Sequence, residues 1–108
     1  MHLNENEDDE TNIQLIVDKY ESMLKTDKIL FFDAEEFMIL IDYYFNDGRL
    51  SITKNVIQLA VDQHPNSDEI QLKIAQIYIF EKNYPKAIHI IKNCIQNQPQ
   101  SIIAHIVL

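Results

Sequence analysis

The sequence predicts an all-α fold built from antiparallel helical hairpins. Apolar residues recur three and four positions apart along most of the chain, which is the spacing of a helix with one buried face. The 108 residues include one Gly and three Pro, too few turn-forming residues for a many-stranded β fold. The chain also repeats itself, because adding 34 to a residue number takes Tyr44 to Tyr78 and Pro65 to Pro99. We call this shift the repeat offset.

The N-terminal third divides into an acidic tail and one helix. Five of the seventeen acidic residues lie within the first ten positions without any Lys or Arg, so we predict a disordered tail over residues 1–10. Thr11 and Gln14 have the pattern of a capping box, which predicts a helix from about Asn12 to Lys25. The predicted buried face of this helix comprises Ile13, Ile16, Val17, Tyr20 and Leu24. In the connector that follows, we expect Phe31 and Phe32 to dock as apolar plugs.

The first hairpin covers residues 33–66. A capping box that begins at Asp33 starts its first helix, which ends at about Phe45. The stretch Asn46-Asp47-Gly48 is suited to a left-handed helix end. The second helix is predicted from about Leu50 to Gln63, before a proline that restricts its predecessor.

The second hairpin covers residues 67–100. Ser67 is expected to cap its first helix, and Asn83 is the expected turn residue between the two helices. Pro85 fits the first turn of the second helix, where its missing N–H costs nothing. The two helices are predicted to end at about Lys82 and Gln96.

The repeat offset relates many positions of the two hairpins. The first hairpin has Phe37, Leu40, Ile41, Tyr44, Thr53, Ile57 and Pro65 where the second has Gln71, Ile74, Ala75, Tyr78, Ala87, Ile91 and Pro99. This set resembles the tetratricopeptide repeat, whose pattern is Trp-x₂-Leu-Gly-x₂-Tyr, then Ala-x₃-Phe, then Pro. The resemblance implies hairpins stacked as a right-handed superhelix. Residues 11–32 are either a divergent preceding repeat or a capping helix.

The resemblance also implies where a partner binds, because the first helix of each repeat lines the concave surface in this family. On this chain the implied partner-binding residues are Glu35, Met38, Asp42, Phe45 and Asn46, followed by Glu69, Leu72, Gln76, Ile79 and Phe80. Their apolar members suit the anchors of a peptide or helix. The alternative for Leu72, Ile79 and Phe80 is a core position that another repeat or a dimer mate covers.

One family subclass clamps acidic chaperone C-termini with Lys, Arg and Asn side chains. This chain has Met38, Asp42, Leu72 and Gln76 at the matching places, so the resemblance does not extend to that ligand. We therefore expect a non-enzymatic scaffold that binds another protein partner or peptide. Two alternatives remain open. One is self-association as a homo-oligomer through residues 101–108, which are the expected start of a truncated third repeat. The other is an accessory role beside a catalytic domain.

Other classes of chemistry find little support. Arg49 is the single Arg, and beyond the first ten positions the acidic and basic residues nearly balance, so we expect no nucleic-acid partner. No apolar run suits a membrane span or a signal segment, so we expect no membrane partner and a cytoplasmic location. Cys94 falls at a small packing position. No catalytic, cofactor or metal site is expected, because His64, His89 and His105 lack neighbours at metal-ligand spacing.

Overall fold

The computed structural model describes residues 5–97, with their side chains from Glu10 onward. This part of the chain contains five helices and no strand. The helices are α1 (Glu5–Leu24), α2 (Ala34–Asn46), α3 (Leu50–Gln63), α4 (Asp68–Phe80) and α5 (Tyr84–Asn97). The all-α class and the helical hairpins are therefore confirmed. The predictions for residues 98–108, including the truncated third repeat and self-association through residues 101–108, lie outside the described residues.

The chain divides into two compact units, and the second begins at His64. In the first unit, α2 packs against both α1 and α3; in the second unit, α4 packs against α5. Each unit therefore contains one helical hairpin, and only the first has an additional helix among the described residues.

The two hairpins have matching bounds. The repeat offset takes the bounds of α2 to those of α4, and the bounds of α3 to those of α5. The helix starts match as well, because the side chains of Asp33 and Ser67 accept hydrogen bonds from Glu36 N–H and Ile70 N–H. Asp33 has the complete capping box, in which Glu36 also accepts from its backbone N–H.

The ends of α2 and α4 also share one geometry. In α2, Gly48 N–H donates to the Phe45 carbonyl and Arg49 N–H donates to the Tyr44 carbonyl, which is the Schellman motif. The same two bonds recur at the end of α4, from Lys82 N–H to Ile79 and from Asn83 N–H to Tyr78. The residue with positive φ is Gly48 at 74° in the first unit and Lys82 at 62° in the second. The left-handed residue is therefore Lys82, one position before the predicted Asn83, and α4 ends at Phe80 rather than at about Lys82.

The predicted start of α1 is wrong. The helix begins at Glu5 instead of about Asn12, so residues 5–10 belong to it rather than to a disordered tail. The acidic residues explain the extension, because negative charge near a helix N-terminus interacts favourably with the helix dipole and Glu is a good helix former.

The predicted core of the first unit is mostly confirmed. Ile16, Val17, Tyr20 and Phe32 are buried, Ile13 is half-buried, and Leu24 and Phe31 are exposed. Met23 is buried in place of Leu24, because positions 16, 20 and 23 follow one face of the helix. Phe31 and Phe32 lie in a segment without helix, where successive side chains point to opposite sides, so only one of them can enter the core.

Aromatic rings join α1, the connector after it and α2 of the first unit. Tyr20 of α1 lies 5.9 Å from Tyr44 of α2 and 6.2 Å from Phe32, measured between ring centroids. The Tyr44 hydroxyl donates to the Glu21 carboxylate over 3.0 Å, and burial together with this carboxylate strongly raises the pKa of Tyr44. These contacts fix α1 against α2.

Candidate protein-interaction surfaces

The partner-binding residues predicted in the first unit all lie on α2. Glu35, Asp42 and Asn46 are exposed, whereas Met38 and Phe45 are half-buried. The fully buried face of the same helix comprises Phe37, Leu40, Ile41 and Tyr44. The helical period thus separates the packing residues from the predicted set, and the face that α2 leaves accessible is acidic with partly covered apolar side chains.

The residues predicted in the second unit lie on α4. Gln76 is exposed and Leu72 is half-buried, as is expected at the border of a packed face. Ile79 and Phe80 are 44% and 68% exposed, at the C-terminal end of the helix. Two adjacent large apolar side chains with this exposure form the most accessible apolar part of the predicted set. Glu69, in the first turn of α4, is exposed.

The structure shows a further apolar stripe that the sequence reasoning did not single out. Tyr84, Ile88 and Ile95 of α5 are each at least 38% exposed. They are separated by four and seven residues, so they lie along one side of the helix. The signal in the sequence was the apolar spacing itself, which indicates one face of a helix without telling which faces are covered.

The second unit also contains a cleft of about 460 Å³ between the start of α4 and the C-terminal half of α5, which we call the polar cleft. Pro65, Ile90 and Cys94 supply its apolar lining. Its polar lining consists of Asn66, Asp68, Gln71, His89, Asn93 and Asn97. Gln71 lies where the repeat pattern has an aromatic residue, but the sequence did not predict the cleft.

Cys94 is buried and lines the polar cleft, and its burial agrees with its predicted packing position. Burial raises the pKa of the Cys94 thiol, and the Asp68 carboxylate beside it raises the pKa further. A thiol held in its neutral form is a poor nucleophile and a poor metal ligand. Cys94 therefore contributes packing to the cleft rather than reactivity.

The histidines have separate surroundings. His64 is half-buried in the turn before α4, and the exposed His89 has its Nε2 atom 3.4 Å from the Asn93 amide nitrogen. Across residues 5–97, no cluster of three or more His, Cys, Asp or Glu side chains is suited to hold a metal ion. In the same range, no helix combines the length and the apolar character that crossing a bilayer requires. His105 lies outside the described residues.

Comparisons with known proteins gave no match: none of the protein-family models, curated proteins or solved structures that were searched is similar to this chain.

Proposed function

We propose that this chain is a tetratricopeptide-like repeat protein that binds a protein partner through the first helix of each hairpin. The support for the repeat is the common geometry of the two hairpins, whose helices, N-caps and Schellman motifs are all related by the repeat offset. The proposal includes the right-handed superhelix of the family, a cytoplasmic location and a non-enzymatic role as a scaffold.

The observation that carries the binding role is the exposure of Ile79 and Phe80. Apolar side chains next to each other on a surface lose their contact with water when a partner covers them, and each fully buried side chain of this size contributes about 1.5–3 kcal/mol. Aromatic side chains are also enriched among the residues that dominate binding energies. The partner is therefore a peptide or helix that offers apolar anchors to α4.

On α2 of the first unit, the matching positions combine acidic and apolar side chains. Glu35 and Asp42 are exposed beside the half-buried Met38. Carboxylates at the rim of an interface favour partners with positive charge and suppress acidic ones. We therefore expect a partner segment that combines apolar anchors with Lys or Arg, and we expect acidic peptides to bind weakly.

The test is affinity capture from cell extract with the native chain and two matched variants. Phe80→Ser removes an exposed ring from α4, and Phe31→Ser removes one of similar exposure, 64%, from the connector of the first unit. We expect the protein captured by the native chain to be lost with Phe80→Ser and kept with Phe31→Ser. Equal capture by all three chains would contradict the proposal.

A stability measurement on the same variants separates a binding surface from a covered core. We expect Phe80→Ser to change the free energy of unfolding by less than about 0.5 kcal/mol, as is usual for surface positions. A loss of about 3 kcal/mol or more, as for a core ring, would show that Phe80 serves folding instead. Light scattering at several concentrations checks whether Phe80 serves contacts between copies of the chain.

A further inference from the structure

The polar cleft of the second unit has a counterpart in the first unit that is filled. By the repeat offset, Asn66 and Gln71 correspond to Phe32 and Phe37. These two rings are fully buried, with centroids 5.4 Å apart. The same region between the start of one helix and the end of the other is thus occupied by aromatic rings in one hairpin and left as a cleft in the other.

The occupant of the first unit belongs to the connector between α1 and α2. Residues 28–33 have no helix, and they place the Phe32 ring between the hairpin helices and α1. The Gln63 side chain at the end of α3 binds their backbone with both ends of its amide. Its oxygen accepts from Phe32 N–H over 3.0 Å, and its nitrogen donates to the Leu30 carbonyl over 2.8 Å.

The second unit also has a side-chain amide at the position of Gln63, and it has further amides near it. Asn97 corresponds to Gln63, and Asn93 lies one turn earlier on α5. Each side-chain amide offers donors and an acceptor, which match the N–H and C=O groups of an extended backbone. Both amides line the polar cleft together with Asn66 and Gln71.

The charge of the lining restricts the ligand. Asp68 is the acidic residue of the polar cleft, and none of the described residues that line it is Lys or Arg. An anionic ligand would meet a carboxylate without a compensating cation, so a neutral or basic ligand is favoured. Amide groups on the walls also favour a ring with a polar tip, because a tyrosine hydroxyl can both donate and accept a hydrogen bond.

We propose that the polar cleft binds an extended, neutral or basic peptide segment of a partner protein and takes up one aromatic side chain, tyrosine in preference to phenylalanine. This site is distinct from the surface around Ile79 and Phe80 that carries the proposed function. Asn97 and Asn93 hold the peptide backbone, and the ring occupies the space that Phe32 and Phe37 fill in the first unit.

The probes are three short peptides that copy residues 28–32, the segment that fills the first-unit counterpart. They are acetyl-Lys-Ile-Leu-Phe-Tyr-amide, the same peptide with the native terminal Phe, and the same peptide with terminal Ala. We expect saturable binding with a Kd of roughly 0.1–1 mM for the Tyr peptide, tighter than for Phe, and about ten-fold weaker binding for Ala. The measurement is NMR titration, in which the side-chain amide signals of Asn93 and Asn97 should shift.

Two variants with a matched control locate the site. Asn66→Phe combined with Gln71→Phe fills the cleft as in the first unit and should weaken binding at least about ten-fold. Asn55→Phe makes the same kind of exchange at an exposed position of α3, outside the cleft and outside the predicted partner-binding residues, and should leave binding unchanged. Should the filled variant not fold, Asn97→Ala, at an exposed helix end, should still weaken binding several-fold.

Several results would overturn the proposal. They are the absence of binding at millimolar peptide, equal binding by the filled and native chains, and an Ala peptide that binds as well as the Tyr peptide. Self-association of the native chain that is lost in the filled variant would identify a second copy as the occupant instead. Binding that is lost with Phe80→Ser but kept in the filled variant would place the peptide on the α4 surface, which supports the proposed function and refutes the cleft.

Discussion

The two units differ in one region of the hairpin, where the start of one helix faces the end of the next. Aromatic rings pack this region in the first unit, whereas amide side chains line it in the second. Phe32 and Phe37 are fully buried in the first, whereas Asn66 is exposed and Gln71 is half-buried in the second. The backbone of the two hairpins matches in helix length and in both caps. The difference therefore lies in side chains placed on a common frame.

This comparison shows which residues determine the fold of a hairpin and which determine what the hairpin can do. Three of the described positions are buried in both units: Ala60 matches Cys94, Thr53 matches Ala87, and the larger Ile41 matches Ala75. The small residues among them let the paired helices approach closely. The aromatic positions can change to amides without altering the helix bounds, so they are available for a different use.

The connectors contribute to the difference. Nine residues, 25–33, join α1 to α2, whereas four residues, 64–67, join α3 to α4. The longer connector can enter the hairpin as extended chain, and the Lys19 ammonium holds it by donating to the Phe31 carbonyl over 2.7 Å. The shorter connector forms a turn, in which Ser67 N–H donates to the His64 carbonyl. Within residues 5–97, the first unit is thus filled by its own connector, whereas the connector of the second unit leaves the cleft open.

The largest expected effect comes from emptying the filled region. Phe32→Ala should lower the free energy of unfolding by about 3–5 kcal/mol, because it removes a buried ring that contacts Tyr20 and Phe37. Asn66→Ala, the matched change in the second unit, should alter it by less than about 0.5 kcal/mol, since Asn66 is exposed. Urea unfolding followed by circular dichroism measures both. Similar losses would show that the two regions are packed alike.

The helix N-caps should give an intermediate effect that differs between the units. Asp33→Ala removes the 2.8 Å bond from Glu36 N–H to the Asp33 carboxylate, which is one of the two bonds of the capping box, so we expect a loss of about 1–2 kcal/mol. Ser67→Ala removes one bond to Ile70 N–H, which is longer at 3.3 Å, and should cost about 0.5–1 kcal/mol. The same urea unfolding ranks the two, and a larger loss for Ser67 would contradict the comparison.

The features that sequence could predict are the local ones. The cap at Asp33, the bounds of α3 and the first-turn Pro85 all depend on residues within one or two helical turns, and the structure confirms each of them. The repeat offset transferred this information from one hairpin to the other.

The features that sequence reasoning missed depend on distant residues or on a balance of small terms. The polar cleft exists because side chains from different helices, such as Gln71 and Asn97, do not fill the space between them. The early start of α1 at Glu5 depends on helix propensity and charge summed over several residues, which a search for capping motifs does not weigh. Some apolar side chains, such as Ile79, stay exposed. Which ones are buried depends on tertiary packing, which the spacing of apolar residues does not reveal.

The smallest expected effect tests the common backbone of the two hairpins. Gly48 and Lys82 hold the same left-handed position, and an added Cβ at Gly48 would meet nothing within 4 Å. Gly48→Ala should therefore cost about 1 kcal/mol through backbone conformation alone. Lys82→Gly should stabilise the chain by about 0.5 kcal/mol, because relief of the strained Lys exceeds the entropy that Gly loses on folding. Thermal and urea unfolding of the two variants should thus move in opposite directions. A stabilising Gly48→Ala or a destabilising Lys82→Gly would show that the two turns do not share one geometry, and the repeat offset would then describe the helices without the turns that join them.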